Sequence, residues 1–121
     1  MLLDSNIIIY SAQPEFAELR EFIRNNKPGV CWINYLEVLG YNKLSDKDIL
    51  FFEDFFSASI IYEINFEIIQ LATSLRRKKM MKLGDSLVAA IAIYFELTLI
   101  THNTEDFKHI RQLQLIDPLA K

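Results

Sequence analysis

At 121 residues the chain is long enough for one hydrophobic core and too short for two ordinary domains; 51% hydrophobic residues with only 3 Gly and 3 Pro exclude disorder and low complexity. Thirteen basic residues stand against 16 acidic ones, a formal charge of −3, which excludes a general nucleic-acid coating protein but not an enzyme whose acids gather in one pocket. The lone Cys31 has no partner for an internal disulfide, and one Cys with 2 His makes no zinc site, which fits a reducing cytosol.

Met1 to Leu3 reads as a minimal buried strand, and Asp4-Ser5-Asn6 ends it just before Ile7-Ile8-Ile9-Tyr10, so Asp4 marks a strand-to-helix handover. The chain enters this strand with no basic leader and no signal-type apolar segment; the expectation is a cytoplasmic protein. Pro14 opens a second helix, with Phe16, Leu19, Phe22 and Ile23 at helical spacing and Lys27-Pro28-Gly29 at its end. Val30-Cys31-Trp32-Ile33 is the next strand, which buries Trp32 and makes Cys31 inert packing. Asn34 then caps a helix through Gly40, with Glu37 at its third helical position. Ser45-Asp46-Lys47-Asp48 is a capping box for a helix carrying Phe51, Phe52, Phe55 and Phe56. That is more aromatic surface than one face hides, so this region is expected to receive a partner helix or to form part of a homodimer interface.

Ser59 to Ile64 alternates weakly as a third strand, and Asn65 starts a helix with Ile68, Leu71, Ala72 and Leu75 on its inner stripe. It runs into Arg76-Arg77-Lys78-Lys79, which together with Lys82 is a candidate for holding nucleic-acid phosphates; the plainer reading is a solvated helix end whose charges suit the dipole. From Leu83 to Phe95 nearly every helix face is apolar, which reads as a helix wedged inside the domain, its first turn reaching the core edge where Asp85 stays wet. Glu96 breaks this run short of the roughly 18 residues of a membrane helix, so no span is expected. Leu97-Thr98-Leu99-Ile100 is a β-prone run, followed by a polar turn, Thr101 to Phe107, with its own acid, and Gln114-Leu115-Ile116 is a short last strand. His102 in that turn reads as a plain surface histidine.

Strands alternating with helices imply right-handed crossovers and a parallel sheet covered on both faces, with ligands bound beyond the carboxyl ends of the strands. Asp4, Glu37, Asp85 and Asp106 all fall at strand ends or in the first turn of the following helix, so this fold gathers them at one rim. Each alone is explained as a helix cap or dipole partner, but capping uses Ser, Thr or Asn equally well. Crowded carboxylates repel and raise one another's pKa unless a cation neutralises them, and hard oxygen ligands select Mg²⁺ or Mn²⁺. Such an ion suits phosphodiester chemistry.

The runs Leu3-Asp4-Ser5-Asn6, Tyr35-Leu36-Glu37-Val38-Leu39-Gly40, Asp85-Ser86-Leu87-Val88-Ala89-Ala90-Ile91-Ala92 and Thr101-His102-Asn103-Thr104-Glu105-Asp106-Phe107 resemble the motifs of PIN-domain ribonucleases. More narrowly they are similar to the VapC-type toxins of prokaryotic toxin–antitoxin pairs, over almost the whole chain and in the right order and spacing. The resemblance implies a single PIN-like domain over residues 1–121, an α/β fold with a three-layer α/β/α sandwich and a short parallel sheet in order 3-2-1-4-5. It implies a Mg²⁺- or Mn²⁺-dependent endoribonuclease that leaves 5′-phosphate and 3′-hydroxyl ends on an RNA substrate, and a cognate antitoxin that blocks the site. Carried over residue by residue, Asp4, Glu37 and Asp85 become the principal metal ligands and catalytic acids. Asp106 and Asn103 stand for the last acidic motif, with Asn6 and Thr101 as supporting groups. Many PIN domains have Asp where Asn103 stands, so this chain carries one charge fewer there. An aspartyl-phosphate enzyme with Asp4 as nucleophile is the alternative chemistry, but a phosphatase of that kind wants a second acid where Asn6 stands, and a receiver-like domain wants an acidic pair and a late Lys. A catalytically silent PIN-like binding module wants a missing acid, and none of the principal three is missing.

Overall fold

The computed structural model describes residues 1–120; Lys121, the last residue of the expected domain, lies outside the described residues. Every strand is two residues long: β1 (Leu2–Leu3), β2 (Val30–Cys31), β3 (Ile61–Tyr62), β4 (Leu99–Ile100) and β5 (Leu115–Ile116). All pairings are parallel, with Leu2 opposite Leu99, Leu99 opposite Leu115, and Val30 opposite Ile61. The two ladders meet at Leu2 and Gly29. There the Leu3 N–H donates to the Gly29 carbonyl at 3.0 Å and the Gly29 N–H to the Met1 carbonyl at 2.8 Å, so the order across the sheet is 3-2-1-4-5, as expected. Gly29 suits this junction, because a Cβ there would run into the Tyr62 ring and crowd the Ile60 carbonyl.

Side chains alternate across the strands, and both faces are covered. Leu2, Cys31 and Leu99 pack with Ile68 of α5 (Phe66–Lys78) and with Val88 and Ala89 of α6 (Leu83–Tyr94). Leu3, Val30 and Ile100 pack on the other side against α1 (Ser5–Ser11), α2 (Ala17–Asn26), α3 (Trp32–Leu39) and α4 (Asp46–Ala58). The result is the expected three-layer sandwich. α6 is wedged as its composition requires, with Val88 through Ala92 all buried. Among the described residues no helix is long and apolar enough to cross a membrane.

Several caps match their sequence signals. Asn65 accepts from the Ile68 N–H at 2.9 Å and Ser45 from the Asp48 N–H at 3.1 Å, while Lys27 ends α2 in the left-handed region at φ 45°. The second strand is a correction. Trp32 and Ile33 belong to α3, not to β2, and Trp32 is 44% exposed instead of buried, its indole N–H donating to Glu63 at 2.9 Å. The cause is local: the Asn34 side chain reaches back to accept from the Cys31 N–H at 2.8 Å, so it closes a helix that has already begun instead of capping it from outside. Glu37 is therefore the sixth residue of α3, in its second turn, not the third.

The phenylalanines of α4 need the second correction. Phe52 and Phe56 are buried in the chain's own core among Leu3, Ile8 and Val38, Phe55 is partly buried, and Phe51 alone is exposed. Phe52 and Phe56 thus pack within the chain's own fold, covered by α1, α2 and α3, and Phe52 shows only an edge at a groove beside α4. Phe52→Ala should cost about 3–5 kcal/mol and Phe51→Ala less than about 1 kcal/mol, read from urea midpoints at unchanged slope; equal losses would contradict this division of the helix.

Candidate active site

Asp4 is carried to the rim by the register of β1 on β4. Its N–H donates to the Ile100 carbonyl at 2.9 Å, so the residue after β1 stands level with the residue after β4, Thr101. The Asp4 carboxylate then serves two donors at once: Oδ1 accepts from the Ser5 N–H at 2.9 Å, capping α1, and Oδ2 accepts from the Thr101 hydroxyl at 2.7 Å. Thr101 is itself fixed, since its Oγ1 accepts from the Asn103 N–H at 3.0 Å and its proton is left for Asp4. Asn103 thus contributes its backbone; its side chain makes no capping bond.

Glu37 joins the rim from the next helix. Its Oε1 accepts from the Ser5 hydroxyl at 2.7 Å, and its Oε2 would be 2.9 Å from a Cβ on Gly84, so α6 begins against it. That contact brings Asp85, the neighbour of Gly84, to the same place. Asp106 lies in a 3₁₀ turn, Thr104–Asp106, beyond β4 and is exposed.

The charges of Asp4, Asp106 and Glu37 act on Asp85, and those of Glu37 and Asp106 act on Asp4. Burial pushes the Asp85 carboxyl up to about 6; Asp4 and Asp106 add to the rise, Lys82 opposes it, and Glu37 adds again. Burial also raises Asp4, the Thr101 hydroxyl and Ser5 N–H pull it back, and Glu37 and Asp106 raise it further. Among the described residues the ion pairs are His102 with Asp117 and Lys108 with Glu105, so none of the four acids is paired. The Asn6 side-chain oxygen, two residues from Asp4, is buried with no donor.

The PIN domain family model matches residues 1–113. The chain belongs to the PIN domain family. No match to a curated protein is found. Among solved structures, this PIN domain is similar to a toxin–antitoxin complex from Klebsiella pneumoniae: TM-score 0.79, 26% identity, 99% of this chain and 98% of that chain covered. DNA-bound VapBC from Salmonella typhimurium gives TM-score 0.84 at 21% identity, with 96% of each chain covered. FitAcB from Neisseria gonorrhoeae gives 0.76 at 20%, covering 97% of this chain and 96% of that one.

The remaining candidates of this PIN domain divide by location. Lys82 acts on Asp85, and Arg76 and Arg77 line a groove between α5 and α6 with Leu83 and Ser86. Lys78 and Lys79 turn to a different groove, beside His109 and Arg111. His102 is exposed and pairs with Asp117 at 3.0 Å, edge-on to Tyr10. Cys31 is buried, and burial pushes its thiol up to about 11, so it remains an inert neutral group. Ser5 and Asn34 carry no acid and escaped sequence reasoning as site residues. Their sequence signals were a small polar residue between Asp4 and Asn6 for Ser5 and a helix-cap position for Asn34.

The raised Asp85 carboxyl has a consequence for stability in chelator. A carboxyl with folded pKa near 6 and unfolded value near 3.8 binds its proton more tightly in the fold. Its contribution is therefore present below pH 4 and lost as pH rises to 6. Two units correspond to about 3 kcal/mol in a dry site and, with solvent reaching this half-buried group, to about 1–2 kcal/mol. Asp85→Asn should gain that amount at pH 7 and nothing at pH 4, measured by calorimetry in EDTA; a variant less stable than wild type at pH 7 would contradict the crowding.

Proposed function

We propose that this PIN domain is a Mg²⁺- or Mn²⁺-dependent endoribonuclease, the toxin of a type II toxin–antitoxin pair, and that residues 1–121 form one domain. The observation that carries the reading is the unpaired carboxylate rim, where Asp4 and Asp85 are pushed up by burial and by the charges of Glu37 and Asp106. Such repulsion is relieved by a cation, and the four rim groups are hard oxygen donors. Among the described residues no group of three or more His, Cys, Asp or Glu side chains stands close enough to hold a metal ion directly, so the proposed ion is one that keeps several of its waters and takes one or two carboxylates, as Mg²⁺ does.

Asp4, Glu37, Asp85 and Asp106 are the residues that would hold the ion, directly or through water. When bound, it supplies Lewis-acid polarisation of the phosphodiester and a water of lowered pKa. The chain's own groups do the rest. Thr101 and Ser5 keep Asp4 oriented and favour its ionised form, and Asp85 presents a second carboxylate at the start of α6. Lys82 is the base whose charge acts on Asp85 and is the first candidate for an RNA phosphate; Arg76 and Arg77, in the groove between α5 and α6, and Lys78 and Lys79, in another, are candidates for contacts farther along the strand.

For the antitoxin, the best-supported seat is a groove of about 520 Å³ lined by Ile9, Pro14, Val38, Tyr41, Leu44 and Phe52. Ile9 and Tyr41 are exposed there, and Phe51 is exposed on the same helix as Phe52. The exposed Leu36, Phe66 and Leu83 support a homodimer. The neighbouring solved structures carry antitoxins, which favours the pair over an aspartyl-phosphate enzyme. That enzyme needs an acid at position 6, where this chain has Asn6.

Purified protein should cleave a structured RNA with Mg²⁺ or Mn²⁺ and stop in EDTA. Asp85→Asn should lower the rate by more than about 100-fold while the circular dichroism spectrum is unchanged. Equal rates in EDTA, or in the variant, would defeat the mechanism.

A further inference from the structure

Glu37 is an exposed residue on the second turn of α3, and an exposed glutamate ordinarily spreads over many rotamers. Its carboxylate is nevertheless tied to the interior. The tie begins at the Cys31 N–H, a group that only donates, which gives its proton to the Asn34 Oδ1 at 2.8 Å. With Oδ1 committed, the Asn34 amide presents Nδ2, which donates to the Ser5 hydroxyl oxygen at 3.0 Å. A hydroxyl has one proton, and with its oxygen accepting from Asn34, that proton goes to Glu37 Oε1 at 2.7 Å. Each link therefore fixes the polarity of the next. Asn34 is fully buried and Ser5 is 7% exposed, so no water competes along the line.

The same device recurs at Asp4, where the Asn103 N–H fixes Thr101 and the Thr101 proton is delivered to Oδ2. Both hydroxyls are oriented by an amide donor and spend their one proton on a rim carboxylate. A helix cap alone accounts for the bond from Cys31 to Asn34, but not for Asn34 turning its other end onto Ser5, on a different helix.

We propose that Ser5 and Asn34 are positioning residues, a buried relay from the Cys31 N–H that fixes the direction of the Glu37 carboxylate against the first turn of α6. The inference rests on Glu37 being part of the nuclease site. It places the aim of Glu37 outside α3 itself, in a serine next to Asp4, so α1 sets the position of both acids. Hydrogen-bonded neighbours of this kind typically change metal affinity or activity by about 10–100-fold when removed.

The test uses NMR on metal-free protein without RNA, so it does not depend on the nuclease reading. In wild type the side-chain couplings of Glu37 should report one rotamer. In Ser5→Ala they should average, and Ser5→Thr, which keeps the hydroxyl, should restore them. In parallel, Mn²⁺ affinity by electron paramagnetic resonance should weaken about 10–100-fold in Ser5→Ala and return close to wild type in Ser5→Thr. Averaged Glu37 couplings in wild type, or a single rotamer retained in folded Ser5→Ala, overturn the relay. The wild-type couplings need no variant to fold. Failure of wild type to cleave RNA with metal removes the nuclease reading instead and leaves the rotamer result standing.

Discussion

Asp4 is 6% exposed, and a carboxylate so nearly withdrawn from water is opposed by desolvation unless donors replace what it loses. Two do: the first N–H of α1 and the Thr101 hydroxyl, the latter from a residue 97 positions away in the chain. The Thr101 contact depends on the parallel register of β1 on β4, which levels the carboxyl ends of two central strands. A slip of one residue would turn Leu2 and Leu3 to the wrong layers and separate Asp4 from Thr101 together. Core packing and site assembly are thus one constraint.

The same constraint explains why the sheet is so short. Two residues per strand suffice because each central strand sends one side chain into each layer: Leu2 and Leu3, Val30 and Cys31, Leu99 and Ile100. Beyond its carboxyl end, β1 turns at once into α1, β2 into α3, and β4 into the loop of Thr101. The carboxylates gathered at that rim burden the fold, raising Asp4 and Asp85 against their ordinary range, and the all-round apolar α6 offsets this by filling the core beneath.

Much of the fold was legible in the chain. Asp4, Ser45 and Asn65 precede periodic apolar runs, and each is a cap; the apolar stretch after Leu83 is a buried helix; the alternation of elements gives the parallel sheet. Trp32 was not legible, because Val30-Cys31-Trp32-Ile33 is uniformly apolar and nothing in it marks where pairing stops. The stop comes from Asn34 reaching back to Cys31 and from Glu63, distant in sequence, taking the indole N–H. The burial of Phe52 and Phe56 was hidden for a related reason: the surfaces that cover them come from three other helices, which periodicity within α4 does not reveal. The four acids were visible as a set, but the hydroxyl that ties Glu37 to α1 is a tertiary contact across 32 residues of sequence.

The claim on which the account depends is that the rim carboxylates form one cation site and are not four unrelated helix caps. Anomalous diffraction from crystals soaked in Mn²⁺ at neutral pH tests it most directly. A single cation site gives a peak within about 2.0–2.2 Å of oxygens from Asp4 or Asp85, with Glu37 and Asp106 contacting it directly or through water. A well-ordered crystal with the rim open to solvent and no peak there, or a peak only at Glu63, Asp117 or another surface acid, would contradict it.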